Sequence, residues 1–244
     1  LLTVLVLIFT NQVQAQKNMV QTAWNYLKYD ELDRAKEAID AAAQHEATIG
    51  SSKTWYYRGL IYQKMYGHEK FGNLDPQALE KAVESFKKAL EIDPTYEFKP
   101  EIEQNLSALS SLFFKRGIDQ LNNKAYDLAL ISFENVLKMN PNDANATLNC
   151  AYSADKAGNT TKAKQYYNAL IEMNFNDYKP FVLLAAIQKA EKDTASALKT
   201  IQKGRAKFPA ENKLIIEELN IYFVTGRTQE ALESISLAIQ SDPK

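Results

Sequence analysis

The sequence predicts an all-α protein built as a linear stack of antiparallel helical hairpins. Three observations point there. Stretches of similar layout recur along the chain, with Ala163, Ala197 and Ala231 spaced 34 residues apart. Each stretch carries two apolar stripes at helical spacing with a short polar turn between them, such as LNNK, KAGN, EKD or VTGR. Only 8 Gly and 7 Pro occur in 244 residues, which argues against a loop-rich or all-β fold.

The copies can be taken in order. The most regular are 160–175, 194–209 and 228–243, and earlier copies occupy 79–94 and 125–141. ELDRAKEAIDAAAQ, around Ala35, is a sixth and more divergent copy. The helix B alanine is present in all six, as Ala35, Ala82, Ala129, Ala163, Ala197 and Ala231. Four residues later stands a large or β-branched side chain: Ile39, Phe86, Phe133, Tyr167, Ile201 and Ile235. In helix A a bulky residue (Met19, Trp55, Phe113, Phe181, Ile215) is followed one turn later by a small one (Ala23, Gly59, Gly117, Ala151, Ala185). Thr147 departs at the first of these positions and Leu219 at the second. Proline closes the copies at Pro94, Pro141, Pro209 and Pro243, with Ala47 and Phe175 departing. Two helices that cross closely admit only Gly or Ala at the crossing, and a proline after helix B cannot continue it.

This pattern resembles the tetratricopeptide repeat over about residues 16–243. The resemblance implies a right-handed superhelical solenoid of about six repeats, near 16–49, 52–96, 97–143, 144–177, 178–211 and 212–244. It also implies a protein-binding scaffold, since one hairpin cannot bury its apolar face alone and stacked hairpins leave a concave surface for partners. Helix A of each repeat would line that surface. Its open positions are then Lys53, Tyr56 and Leu60; Ser111, Phe114 and Ile118; Asn145, Leu148 and Tyr152; Lys179, Val182 and Ala186; Lys213, Ile216 and Asn220. The expected groove centres on Lys53, Tyr56, Leu60, Phe114, Ile118, Asn145, Leu148 and Tyr152, with Tyr56, Phe114 and Tyr152 as its aromatic floor. The competing reading is that these residues pack on the next repeat. Tyr56, Tyr57 and Leu183 replace polar residues of the family's carboxylate-clamp subclass, so that clamp is not expected.

The register is broken twice. Ala35, Ala82 and Ala129 are 47 residues apart, not 34. The first excess reads as an enlarged loop over 65–77, with Gly67, Gly72 and Pro76, and with Tyr66 and Phe71 as candidate contacts. The second reads as a helix A lengthened to about 99–121, or as an extra helix joined to it, with Pro100 in its first turn. Lys53, Lys179 and Lys213 share an early helix A position with Lys17, which suggests a rim for an acidic partner.

Catalytic chemistry finds no support. There are two histidines, His45 and His68, each expected at a solvated surface, and no Gly-rich phosphate loop. Glu217 and Glu218 are neighbours on a helix and read as a solvated face. Cys150, the only cysteine, rules out an internal disulfide and a multi-cysteine metal site, and its apolar setting predicts burial. No cofactor, metal or small-molecule substrate is expected. A net charge of −1 offers no footprint for nucleic acid.

Residues 1–9, LLTVLVLIF, are shorter than the ~20 apolar residues that span a bilayer. With Val13-Gln14-Ala15 they read as a leader cut after Ala15, and a short buried helix is the alternative. The missing Met and charged start suggest that the chain is truncated there. The reading is an exported protein of a bacterial periplasm, touching membrane only through a complex. Its rival role is a structural subunit of an envelope assembly or secretion complex, docking through its convex face and loops. A regulatory domain of an enzyme would require chain beyond Lys244.

Overall fold

The structure is a computed structural model and describes residues 19–241. The leader, Lys17 and Pro243 lie outside the described residues. The long regular elements among the described residues are all helices, with no strand. In order the helices are α1 (19–28), α2 (Leu32–Gln44), α3 (Glu46–Ile49), α4 (Ser52–Met65), α5 (Ala78–Ile92), α6 (Lys99–Asn122) and α7 (Tyr126–Met139). They continue with α8 (Ala144–Lys156), α9 (Thr160–Glu172), α10 (Lys179–Ala190), α11 (Thr194–Lys207), α12 (Asn212–Val224) and α13 (Thr228–Ser241). The chain forms two compact units, one ending at Phe113 and one beginning at Phe114, within α6.

Six hairpins follow from this order: α1–α2, α4–α5, α6–α7, α8–α9, α10–α11 and α12–α13. Each turns through one residue with positive φ: Asp30, Gly67, Lys124, Gly158, Lys192 and Gly226. Five of these turns share one hydrogen-bond pattern. At Gly158, the N–H of Asn159 reaches back to Ala154 O at 2.8 Å while Gly158 N–H bonds Asp155 O at 3.0 Å. The same pair recurs at Asp30/Glu31, Lys124/Ala125, Lys192/Asp193 and Gly226/Arg227. This is the Schellman closure, which satisfies helix-end carbonyls that would otherwise lack donors. The 34-residue period is therefore carried by the backbone turn as well as by the core.

The departures from the repeat pattern have local explanations. Where Phe175 replaces the closing proline, Asn174 adopts positive φ and Phe175 N–H bonds Leu170 O at 3.0 Å, so α9 stops by the same closure. Around Ala47 the chain forms α3, whose N-cap His45 accepts a hydrogen bond from Ala47 N–H at 3.2 Å. The excess over 99–121 is one continuous 24-residue helix, α6, with Pro100 in its first turn. The other excess is a loop between α4 and α5.

Within each hairpin the crossing is tight. A methyl group built on Gly59 would lie 2.6 Å from the Phe86 ring, and one on Gly117 would lie 2.7 Å from the Phe133 ring. All six helix B alanines are buried, as are Phe86, Phe133, Tyr167 and Ile201. Ala151 and Tyr167 share one core cluster, and Ala185 and Ile201 share another. Burying a ring such as Phe133 contributes about 2–3 kcal/mol relative to leaving it exposed. In the last hairpin the crossing position is Leu219, half-buried at the edge of its cluster.

Gly117→Ala is expected to destabilise the second unit by about 1–3 kcal/mol, the usual cost of forcing extra volume into a packed crossing. Gly50 has nothing within 4 Å of an added methyl and an ordinary negative φ, so Gly50→Ala should be neutral or slightly stabilising. Urea denaturation of both variants checks the contrast, and equal effects would contradict the tight crossing.

Candidate functional site

The 34-residue register places equivalent residues on one face of α6, α8, α10 and α12 in the second unit. Phe114 is half-buried and meets Phe133 edge-on at 5.4 Å. Ile118, Leu148 and Leu183 are likewise half-buried against the core cluster around Phe133, Cys150 and Tyr167. Val182 packs on the next cluster along the chain. These side chains serve the core with one side and leave the other open. Tyr152 is more exposed, at 42%, with Lys156 Nζ 5.5 Å above its ring. Asn145, Ala186 and Asn220 are exposed, and Ile216 is half exposed at 50%. Asn145 accepts a hydrogen bond from the Asn149 side chain through its carbonyl at 2.9 Å.

In the first unit the equivalent positions differ. Lys53 and Ser111 are exposed and Leu60 is half-buried. Tyr56, expected as an open groove residue, is buried. The segment after α5 brings Phe98 back to stack on it at 4.9 Å, and Tyr96 meets it edge-on at 6.1 Å. Tyr57 in turn stacks on Trp24 of α1 at 4.6 Å. Burial, with Glu101 and Tyr57 nearby, raises the Tyr56 phenol above its ordinary pKa. Tyr56 is thus a packing residue; no spacing rule in the sequence reveals that Phe98 covers it.

The shared lysine position is also not uniform. Lys213 Nζ lies 3.1 Å from Glu217 and Lys179 Nζ lies 3.8 Å from Asp177. Lys53 Nζ sits 5.4 Å over the Tyr57 ring. The expected solvated face at Glu217-Glu218 requires correction. Glu218 is buried, paired with Arg205 and accepting a hydrogen bond from Ser234 at 2.7 Å. Glu217 bridges Lys189 at 2.6 Å and Lys213. A buried carboxylate is tolerable here because charged and hydroxyl donors meet it.

Neither histidine is simply solvated. His45 caps α3. His68 Nε2 lies 3.0 Å from Asp30 Oδ2, and its Nδ1 accepts from the N–H groups of Lys70 and Phe71 at 3.2 Å. These bonds organise the 66–77 loop. Phe71, a candidate contact in that loop, is buried instead, while Tyr66 remains exposed. Asp75 closes the loop by accepting from Gln77 N–H and pairing with Lys81 at 2.5 Å.

A recurrent hydroxyl went unnoticed in the sequence. It stands one residue before the bulky helix B position and ties helix B to helix A. Ser85 accepts from Arg58 at 2.7 Å, and Ser132 accepts from Arg116 and donates to Gln120. Thr200 donates to Gln188 at 2.9 Å, and Ser234 donates to Glu218. Its signal was present as a Ser or Thr at fixed register inside an apolar stripe. Cys150 is buried, and burial, with Glu134 nearby, pushes its thiol up to about 12, so it stays protonated. Among the described residues no group of three or more His, Cys, Asp or Glu stands as metal ligands would. No described helix is long and apolar enough to cross a membrane.

Comparison with known proteins agrees with this architecture. A tetratricopeptide repeat model matches residues 114–176, and a second matches 77–96. These two segments therefore match tetratricopeptide repeats, which are generally non-catalytic scaffolds that bind proteins. No curated protein matches it in sequence. Solved structures similar to this chain include PilF of Pseudomonas aeruginosa, at 14% identity and TM-score 0.42, covering 94% of this chain and 93% of that one. PilW, a widely conserved type IV pilus biogenesis factor, matches at 20% identity and TM-score 0.41, covering 94% of each chain. The TPR2AB domain of yeast Sti1, in complex with a pHSP90, matches at 19% identity and TM-score 0.41, covering 85% of this chain and 84% of that one. Likenesses of this size carry no argument about this chain.

One ion cluster gives a pH-dependent expectation. Burial pushes the Asp40 carboxyl up, but the Tyr62 hydroxyl, Lys36 and Arg58 outweigh it and hold Asp40 below its ordinary value of 3.8. Those partners lie at 2.7, 2.9 and 2.9 Å. A carboxylate with a lowered folded-state pKa stabilises fully above its unfolded value and loses that contribution as pH falls through the folded one. The stability gap between the wild type and Asp40→Asn should therefore be constant above about pH 5 and narrow below about pH 4. Urea titrations across that range check it; a gap independent of pH would contradict the cluster.

Proposed function

We propose that this chain is a non-catalytic scaffold that holds a protein or peptide against the helix A face of its second unit. The supporting observation is the row of half-buried apolar residues Phe114, Ile118 and Leu148 beside exposed Tyr152 and Asn145. Apolar side chains in that state can be covered by a partner without refolding. The aromatic ring of Tyr152 with its polar tip suits a contact that must also face water. In the first unit Lys53 and Leu60 are proposed contact points of their own, whereas Tyr56 contributes through packing.

A second reading is a structural subunit that docks through its outer face. It is favoured by Leu128 and Ile131, which lie three apart on α7 and are 54% and 49% exposed. A photo-crosslinking residue placed at Tyr152 or at Leu128 separates the two. Capture at 152, lost in an Asn145→Ala/Leu148→Ala background, is expected for the groove. Capture only at 128 would overturn it.

We also propose export to a bacterial periplasm, supported by the apolar run 1–9 and Val13-Gln14-Ala15. Intact mass of the protein from a periplasmic extract should correspond to a start at Gln16. Cytoplasmic protein retaining residues 1–15 would contradict it.

A further inference from the structure

We propose that a cleft at the start of α4 is a carboxylate-binding subsite that takes an acidic side chain of a partner polypeptide. The cleft measures about 290 Å³, and its walls include Val20, Ala47, Thr48, Ser51, Lys53 and Thr54. All of these belong to the first unit, so the subsite is distinct from the second-unit face proposed above and gives the first-unit contact point Lys53 its own ligand.

The first argument is electrostatic. α4 has 14 residues, its N-cap Ser51 makes no side-chain cap hydrogen bond, and no acidic residue stands in its first turn. The positive end of the helix is therefore left without a negative group of its own. Lys53 adds a full positive charge there, and among the described residues no carboxylate pairs with it.

The second argument is a missing partner. Thr54 lines the cleft and is fully buried, yet its hydroxyl has no hydrogen-bond partner. Buried hydroxyls are ordinarily satisfied, as that of Thr48 is by Ala42 O at 2.6 Å. An anion in the cleft would supply the acceptor for the Thr54 hydroxyl.

The other A helices show what belongs at this place. Asp143 accepts from Ala146 N–H at the start of α8, Asp177 from Lys179 N–H at α10, and Glu211 from Lys213 N–H at α12. In each, a carboxylate of the chain itself meets the helix start. α4 has serines instead, and a cleft with room for a carboxylate from outside. Val20, Ala47 and the Thr48 methyl would cover the aliphatic part of a glutamate.

The test is an NMR titration of the full chain with the blocked peptide acetyl-Ala-Glu-Val-amide and with its Gln counterpart. The Glu peptide should shift the amides of Ser52, Lys53 and Thr54, and the Gln peptide should bind about tenfold more weakly. Thr54→Val keeps the shape and removes only an unpartnered hydroxyl, so it should fold normally and weaken Glu-peptide binding about three- to tenfold. Lys53→Gln should weaken it and remove most of its salt dependence, whereas Tyr152→Ala should change nothing. Equal binding of the Gln peptide, shifts confined to other residues, unaltered affinity in both cleft variants, or acetate binding as tightly as the peptide would each overturn the proposal.

Discussion

The close crossing of two helices in each hairpin is the constraint on which the rest of this structure depends. Gly59 admits the ring of Phe86 and Gly117 admits the ring of Phe133, with no room for one more carbon. Ala151 and Ala185 allow the same approach where the facing residues are Tyr167 and Ile201. Within the second unit, one core cluster takes in residues of consecutive hairpins, Phe133, Ala151, Tyr167 and Leu184 among them. The half-buried state of Phe114, Ile118 and Leu148 is a consequence: one side is used by the core and the other is left over.

Polar groups reinforce the crossing. The hydroxyls of Ser85, Ser132, Thr200 and Ser234 tie the two helices of their own hairpins. Pairs such as Asp40–Arg58 and Lys189–Glu217 join consecutive hairpins within a unit. Apolar packing tolerates sliding along the helix axis, whereas a hydrogen bond of 2.7–2.9 Å does not. The hydroxyls hold the stagger of their hairpins, and the Schellman turns fix where five of the six A helices stop.

The fold was legible because its cause is local and periodic. Small residue, alanine and ring recur at set spacing, and the polar turns between them coincide with the positive-φ residues Lys124, Gly158, Lys192 and Gly226. The candidate site was legible only in part. Register alone anticipates that Phe114, Leu148 and Tyr152 keep an open side, since exposure follows from helix geometry. It misplaces Tyr56, because Phe98 reaches it from a segment about forty residues away whose path no local pattern encodes. Glu218 was misread for the same reason: its acceptable burial depends on Arg205 and Ser234, which come from two other helices. His68 and Phe71 belong to an insertion that the repeat pattern does not describe.

A double-mutant cycle between Gly117 and Phe133 tests the crossing most directly. Gly117→Ala, Phe133→Leu and the pair would each be measured by urea denaturation. Steric exclusion between the two residues predicts that Phe133→Leu costs less in the Gly117→Ala background than in the wild type, with a coupling of about 1–2 kcal/mol. Strict additivity of the two substitutions would contradict the account.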